Sequence, residues 1–295
     1  MESDSALITA SQNVVGQCLG VGVGVGEQCL VVADVEMRQI AEALRLAATD
    51  AGADVVLALM QPRSTHGAEP PPTVAAALAA CDVFIAPTLF SLSHTQARKA
   101  ATVAGARGAT LPGVTADMLG RLMNGDLGGL ARRSRRVADL LSAADSAELS
   151  CPLGSSMVFD LSGRDAIADD GRFTKPGAFG NFPCGEAFIS PLSAEGELYA
   201  SSVATFGLSS PAAHLTAVDG RLVAADEDWG RSFSLRCARG ERAASTWPSS
   251  GSALTSRLDS RETYLKMRSC WAAFMSRLAP AQRSEGRSQS RSTST

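Results

Sequence analysis

The sequence predicts an α/β protein: an N-terminal parallel sheet with flanking helices, then a smaller β-rich domain and a disordered basic tail. Three observations carry this reading. Short apolar runs alternate with helical-period stretches from residue 28 to about residue 150, the pattern of βαβ units. From Cys151 the apolar period falls to two and β-type residues take over. Beyond Asp228 the composition changes outright: residues 1–228 carry a net charge of −11, whereas residues 229–295 carry +8 and hold all three tryptophans and 15 serines. The boundaries so drawn are 1–27 for an N-terminal helix and Gly-rich lead-in, 28–150 for the α/β domain, 151–228 for the β-rich domain and 229–295 for the tail.

The elements follow in order. Cys29–Asp34 is a short apolar run closed by an acid and reads as a strand. Met37, Ile40, Ala41, Leu44 and Ala47 then recur at helical spacing, and Ala51-Gly52 ends that helix. Ala53–Met60 is a second buried strand, and Pro71–Asp82 a helix with its prolines at the entry, where a missing N–H does least harm. Val83–Pro87 is a third strand, followed by a helix over Ser91–Gly108 with Ser/Thr capping candidates. Thr110–Gly113 is a short strand or turn, and Thr115 caps a further helix. Asp126–Leu149 reads as one long amphipathic helix linking the two domains. In the β-rich part, Asp219-Gly220 between two apolar runs is a two-residue hairpin signal. Within the tail, Arg261–Leu278 is the one helix candidate.

Composition narrows the classes. At 45% hydrophobic and 19% charged the chain is neither collagenous, coiled-coil nor wholly disordered. No apolar run is long enough to span a membrane, and MESDSALITA lacks the basic start of a secretory signal. Seven scattered cysteines with no CxxC pair fit thiols in a reducing cytoplasm. The glycines of VGVGVGEQCLVVAD precede a strand and open no helix, so they are a lead-in and not a dinucleotide fingerprint.

Few residues promise chemistry. His94 opens a helix just past a strand end, the edge at which open α/β sheets bind ligands, and is the candidate catalytic residue. His66, in a polar loop after a strand, is a weaker version of the same case, and His214 on an alternating strand is structural. The densest stretch is Gly171–Pro191, with four glycines, three prolines and four phenylalanines in 21 residues. Its single carboxylate, Glu186, enters a strand from a constrained loop and suits a hard or borderline metal ion. Asp169 and Asp170 are further oxygen candidates, though Asp-Asp-Gly is also an ordinary turn.

That stretch carries a resemblance. GAFGNFPCGEAFISP resembles the N-x-P-x-G-E-x-F-x-x-P signature of the aminopeptidase T (thermophilic leucyl aminopeptidase-like) metallopeptidases, with Asn181, Pro183, Gly185, Glu186, Phe188 and Pro191 matching. GEQCLVVAD, SLSHTQAR and ATLPGVTADML are similar to the family's N-terminal half, so the likeness spans about Gly26 to Arg221. The resemblance implies a cytoplasmic, homodimeric hydrolase that releases N-terminal residues from peptides. It implies a divalent metal (Zn, Co or Mn) with Glu186 as one ligand and a peptide as substrate. The family's other ligands, a second Glu, histidines and a His-x-Asp pair, have no match: no histidine follows His214. In their place stands the Arg/Ser/Trp-rich tail, which resembles translation in a shifted frame; a genuine basic extension is the other reading. The same superfamily contains iron-dependent dihydroxypyridine ring-cleaving dioxygenases, so a non-haem iron oxygenase is the alternative function. A non-catalytic binding protein whose basic tail contacts nucleic acid or an acidic partner is the third, and the tail has no recognisable nucleic-acid-binding fold.

Overall fold

The computed structural model describes residues 2–22, 26–203 and 207–225. The basic tail, its expected disorder and its helix candidate lie outside the described residues.

The chain begins with helix α1 (Glu2–Gln12), which runs into a π-helical turn at Asn13–Cys18. Strand β1 (Gln28–Asp34) leads through a 3₁₀ turn to α2 (Arg38–Asp50), then β2 (Asp54–Met60), α3 (Pro72–Ala80) and β3 (Val83–Ala86). Next come α4 (Gln96–Val103), β4 (Arg107–Thr110), α5 (Ala116–Leu122) and α6 (Leu127–Ser142). The remainder is strands: β5 (Ser146–Ser150), β6 (Ser156–Asp160), β7 (Ile167–Asp169), β8 (Phe179–Asn181), β9 (Glu186–Phe188), β10 (Ser193–Val203), β11 (Gly207–Val218) and β12 (Arg221–Ala225).

Five strands form one sheet in the order β2-β1-β3-β4-β8, every pair parallel. Alternation along β1 sorts the two faces, because successive side chains of a strand point opposite ways. Cys29, Val31 and Ala33 join Val83, Ile85 and Ala109 under α1, α2 and α5. Leu30 and Val32 join Phe84 and Ala86 under α3 and α4. The stripe predicted for α2 is the one it buries: Ile40, Ala41, Leu44 and Ala47 are all in the core. Helix starts follow the capping rule, with Thr95, Thr115 and Asp126 side chains accepting from Arg98, Met118 and Gly129 N–H groups.

A second, antiparallel sheet has the order β12-β11-β10-β6-β5, and β7 pairs with β9 as a separate ribbon. The predicted hairpin is present: Val218 faces Arg221 across Asp219 and Gly220, both at positive φ (50° and 71°) as the twist-matched two-residue turn requires. Met157, Phe159, Leu161, Ala194 and Ala217 fill the core beneath this sheet.

Three boundaries differ from the sequence reading. The helix expected over 91–108 is confined to α4, because Gly105 at φ 108° breaks it and Arg107 already pairs in β4. The long helix expected over 126–149 stops at Ser142, and 146–150 is β5, paired antiparallel with β6. Strand β8, which lies in the β-rich stretch of the sequence, pairs in parallel with β4 and so belongs to the first sheet. Among the described residues no helix is long and apolar enough to cross a membrane.

Candidate functional site

The parallel sheet changes direction of growth between β1 and β3: the chain adds β2 on one side of β1, then β3 on the other. The carboxyl ends of strands at such a switch point form the usual crevice of an open α/β sheet. Asp34, the last residue of β1, stands there fully buried. Its Oδ2 accepts from the Leu89 N–H at 2.6 Å, tying the end of β1 to the loop after β3. Its Oδ1 has no partner among the described residues, and neither does the buried Nε of Arg63. Burial raises the Asp34 pKa above the ordinary carboxylate value, opposed by the Leu89 bond and by the charge of Arg63. The sequence reading passed over Asp34, although an acid closing an apolar strand is the visible signal.

The loop after β3 lines this edge. The Ser91 N–H donates to His66 Nδ1 at 3.0 Å, so the neutral ring carries its proton on Nε2. The ring meets Phe90 edge-on at 5.3 Å, and partial burial lowers its pKa. Further along, Ser91 Oγ donates to Ser93 Oγ (2.8 Å), and the Ser93 and Thr110 hydroxyls lie 2.7 Å apart. Both also reach Oδ1 of Asn181, at 3.0 and 2.6 Å. One hydroxyl network thus joins the ends of β3, β4 and β8. Arg98 holds it from outside, donating to the Ser93 carbonyl at 2.7 Å with its guanidinium 4.2 Å from the Phe179 ring centre. His94 occupies the turn before α4, half-buried and engaged with other groups.

Gly171–Pro191 is no surface turn. Phe173, Phe182 and Phe188 are buried, and Phe173 packs on Phe182 with ring centres 5.4 Å apart. Gly180 passes under the Phe173 ring so closely that a Cβ would lie 2.0 Å from it. The Phe182–Pro183 peptide is cis. The Gly185 N–H donates to the Asp169 carbonyl at 3.0 Å, and Glu186 then pairs with Asp169 in the β7–β9 ribbon. Glu186 is half-buried, Asp169 is buried, and both are engaged. Asp170 points elsewhere: Arg135 bonds it at 2.7 Å and it accepts the Arg172 N–H.

The structure therefore brings Glu186 beside Asp169 as strand partners. His214 lies on β11, stacked on Tyr199 with ring centres 4.4 Å apart and paired with Glu197, which also accepts from Thr216. A mononuclear iron site of the oxygenase type takes two histidines and a carboxylate. Among the described residues no three His, Cys, Asp or Glu side chains converge as a metal site. The described residues do not fit a resident iron centre. A cavity of about 270 Å³ beside β9 offers no alternative for a polar ligand, since Leu141, Leu149, Phe159, Phe188 and Pro191 line it and Glu148 is its one charged wall residue.

Against known proteins, the model of the family described as NicX, 2,5-dihydroxypyridine 5,6-dioxygenase, matches residues 7–201. The chain belongs to this family. That match covers both the sheet edge and Glu186. Solved structures share the fold. The 2,5-dihydroxypyridine dioxygenase of Pseudomonas putida superposes with a TM-score of 0.65 at 17% identity, over 80% of this chain and 72% of that one. Wild-type AmpT of Thermus thermophilus superposes with a TM-score of 0.57 at 16% identity, over 81% of this chain and 76% of that one. No curated protein sequence matches the chain. The resemblance to aminopeptidase T was thus correct for the fold and wrong for the family. The descriptors that follow from it, aminopeptidase, metallopeptidase, hydrolase and proteolysis, give way to dioxygenase.

Proposed function

We propose that this NicX-family chain recognises a small dihydroxylated pyridine ring, the substrate class whose oxygenolytic cleavage names its family. The family match over residues 7–201 carries the reading. The site supports it: neutral hydroxyl and amide groups suit a polar, planar, largely uncharged ring, and nothing in this network resembles a clamp for the free ammonium of a peptide. The family implies non-haem iron in place of zinc, cobalt or manganese, and Glu186 with its strand neighbour does not by itself make such a site. On the same reading the chain works in the cytoplasm as a homodimer.

Two assays on the full chain test the reading. Calorimetric titration with 2,5-dihydroxypyridine is expected to give saturable binding, and leucyl-anilide to release no product with zinc, cobalt or manganese added. Anilide hydrolysis without ring binding would overturn it.

A further inference from the structure

Asn181 is held in an unusual way for a polar residue at the end of an edge strand. Its Oδ1 accepts from two hydroxyls, Thr110 at 2.6 Å and Ser93 at 3.0 Å. Thr110 is fully buried and Ser93 nearly so, so neither hydroxyl has water as a competing partner. Ser93 is fixed in turn by Ser91 Oγ and, through its carbonyl, by Arg98. A carboxamide fixed by its oxygen has its nitrogen fixed too. That nitrogen carries two N–H donors, makes no bond to a described residue and is not among the buried unpaired atoms. It is a pre-aimed donor at the carboxyl edge of the sheet. Asn181 also ends β8, five residues ahead of Glu186 along a loop pinned by Phe182 and Gly185.

We infer that Asn181 is the substrate-orienting residue of this site, its Nδ2–H donating to a ring oxygen of the bound dihydroxypyridine. The inference rests on the proposed function and deepens it. Pre-organisation is what the Ser93–Thr110 pair supplies: the amide pays no rotamer cost when the ligand arrives. A neutral donor fits an oxygen that is a pyridone carbonyl or a weakly acidic hydroxyl. A carboxylate at this position would remove the donor and repel the same oxygen.

The test is a matrix of binding constants for the full chain, with 2,5-dihydroxypyridine, 2-hydroxypyridine and 3-hydroxypyridine as probes. Asn181→Asp is expected to weaken 2,5-dihydroxypyridine by roughly 10-fold or more, the scale of a lost hydrogen bond to a polar partner. One of the mono-hydroxy probes should show the same loss and the other none, because only one oxygen is held. Thr110→Val, which frees the carboxamide without touching the ligand, is expected to weaken binding by a smaller factor. A merely structural Asn181 would lower all three affinities alike or none, and either result overturns the inference while leaving ring binding by the wild-type chain intact. Absence of any wild-type binding overturns the proposed function and the inference together. Thermal melts of each variant separate loss of fold from loss of contact: an unfolded Asn181→Asp chain leaves Thr110→Val and the probe pattern to decide.

Discussion

At the scale of single residues, the most consequential group is the one the chain holds at a cost. Asp34 is fully buried with one oxygen unsatisfied, and a buried carboxylate is the more expensive form unless it is paired. Its raised pKa means the neutral acid is favoured more in the folded state than in the unfolded chain. Its contribution to stability is therefore full below the ordinary carboxylate value near about 3.9 and is lost as pH rises through the raised folded value. Asp34→Asn does not titrate, still accepts the Leu89 N–H and carries no charge. Urea denaturation should find the stability of this variant relative to the parent rising between pH 4 and pH 7, because only the parent loses stability over that range. An equal gap at both pH values would mean that Arg63 neutralises the charge fully. Such a residue, costly to the fold and placed at the switch point, is where local rules give way to a site.

At the scale of elements, the loop from Gly171 to Pro191 shows how backbone freedom becomes site geometry. Gly185 has φ 117°, and a Cβ there would lie 2.6 Å from Leu130 of α6. Both the dihedral and the space demand glycine, so Gly185→Ala should destabilise by about 2 kcal/mol or more. Chemical denaturation reads this, and a loss under about half a kcal/mol would mean that α6 yields easily. This loop was legible as something special from its Gly, Pro and Phe content. Strands β1 to β3 and the stripe of α2 were legible too, because apolar period and breakers coincide there. What escaped was either short or distant. SAELS of β5 follows α6 with no breaker, so its five residues read as more helix. Strand β8 has three residues, and its place beside β4 is a pairing across about seventy positions that no local pattern encodes. The hydroxyls of Ser93 and Thr110 were invisible for the same reason: they meet Asn181 only once that pairing exists.

At the scale of the whole molecule, the family and the ligand inventory disagree. Residues 7–201 match a dioxygenase family, yet the chain has only three histidines, at 66, 94 and 214. His66 is tied through Nδ1 to the loop after β3, and His214 is paired with Glu197 on the second sheet. Neither can swing to Glu186 without losing those partners, and among the described residues no three His, Cys, Asp or Glu side chains converge as a metal site. Glu186 and its strand partner Asp169 are both oxygen donors, a set that suits a hard ion better than ferrous iron. Losing imidazole ligands removes bonds that a hydrated ion must otherwise give up water to replace. The full chain loaded anaerobically with ferrous iron and passed through a desalting column should therefore retain far less than one iron per chain, and Glu186→Gln should change little. Oxygen uptake with 2,5-dihydroxypyridine should then stay at the background of free iron, even where the ring itself is bound. Stoichiometric iron that survives the column and disappears in Glu186→Gln would reverse this. It would place the remaining ligands at Asp169 or His94, or among the residues outside those described, where Asp226, Glu227, Asp228, Cys237 and Cys270 are available. Ring binding and iron retention are thus separable in this chain, and measuring them apart distinguishes a ring-binding relative of the dioxygenases from a working one.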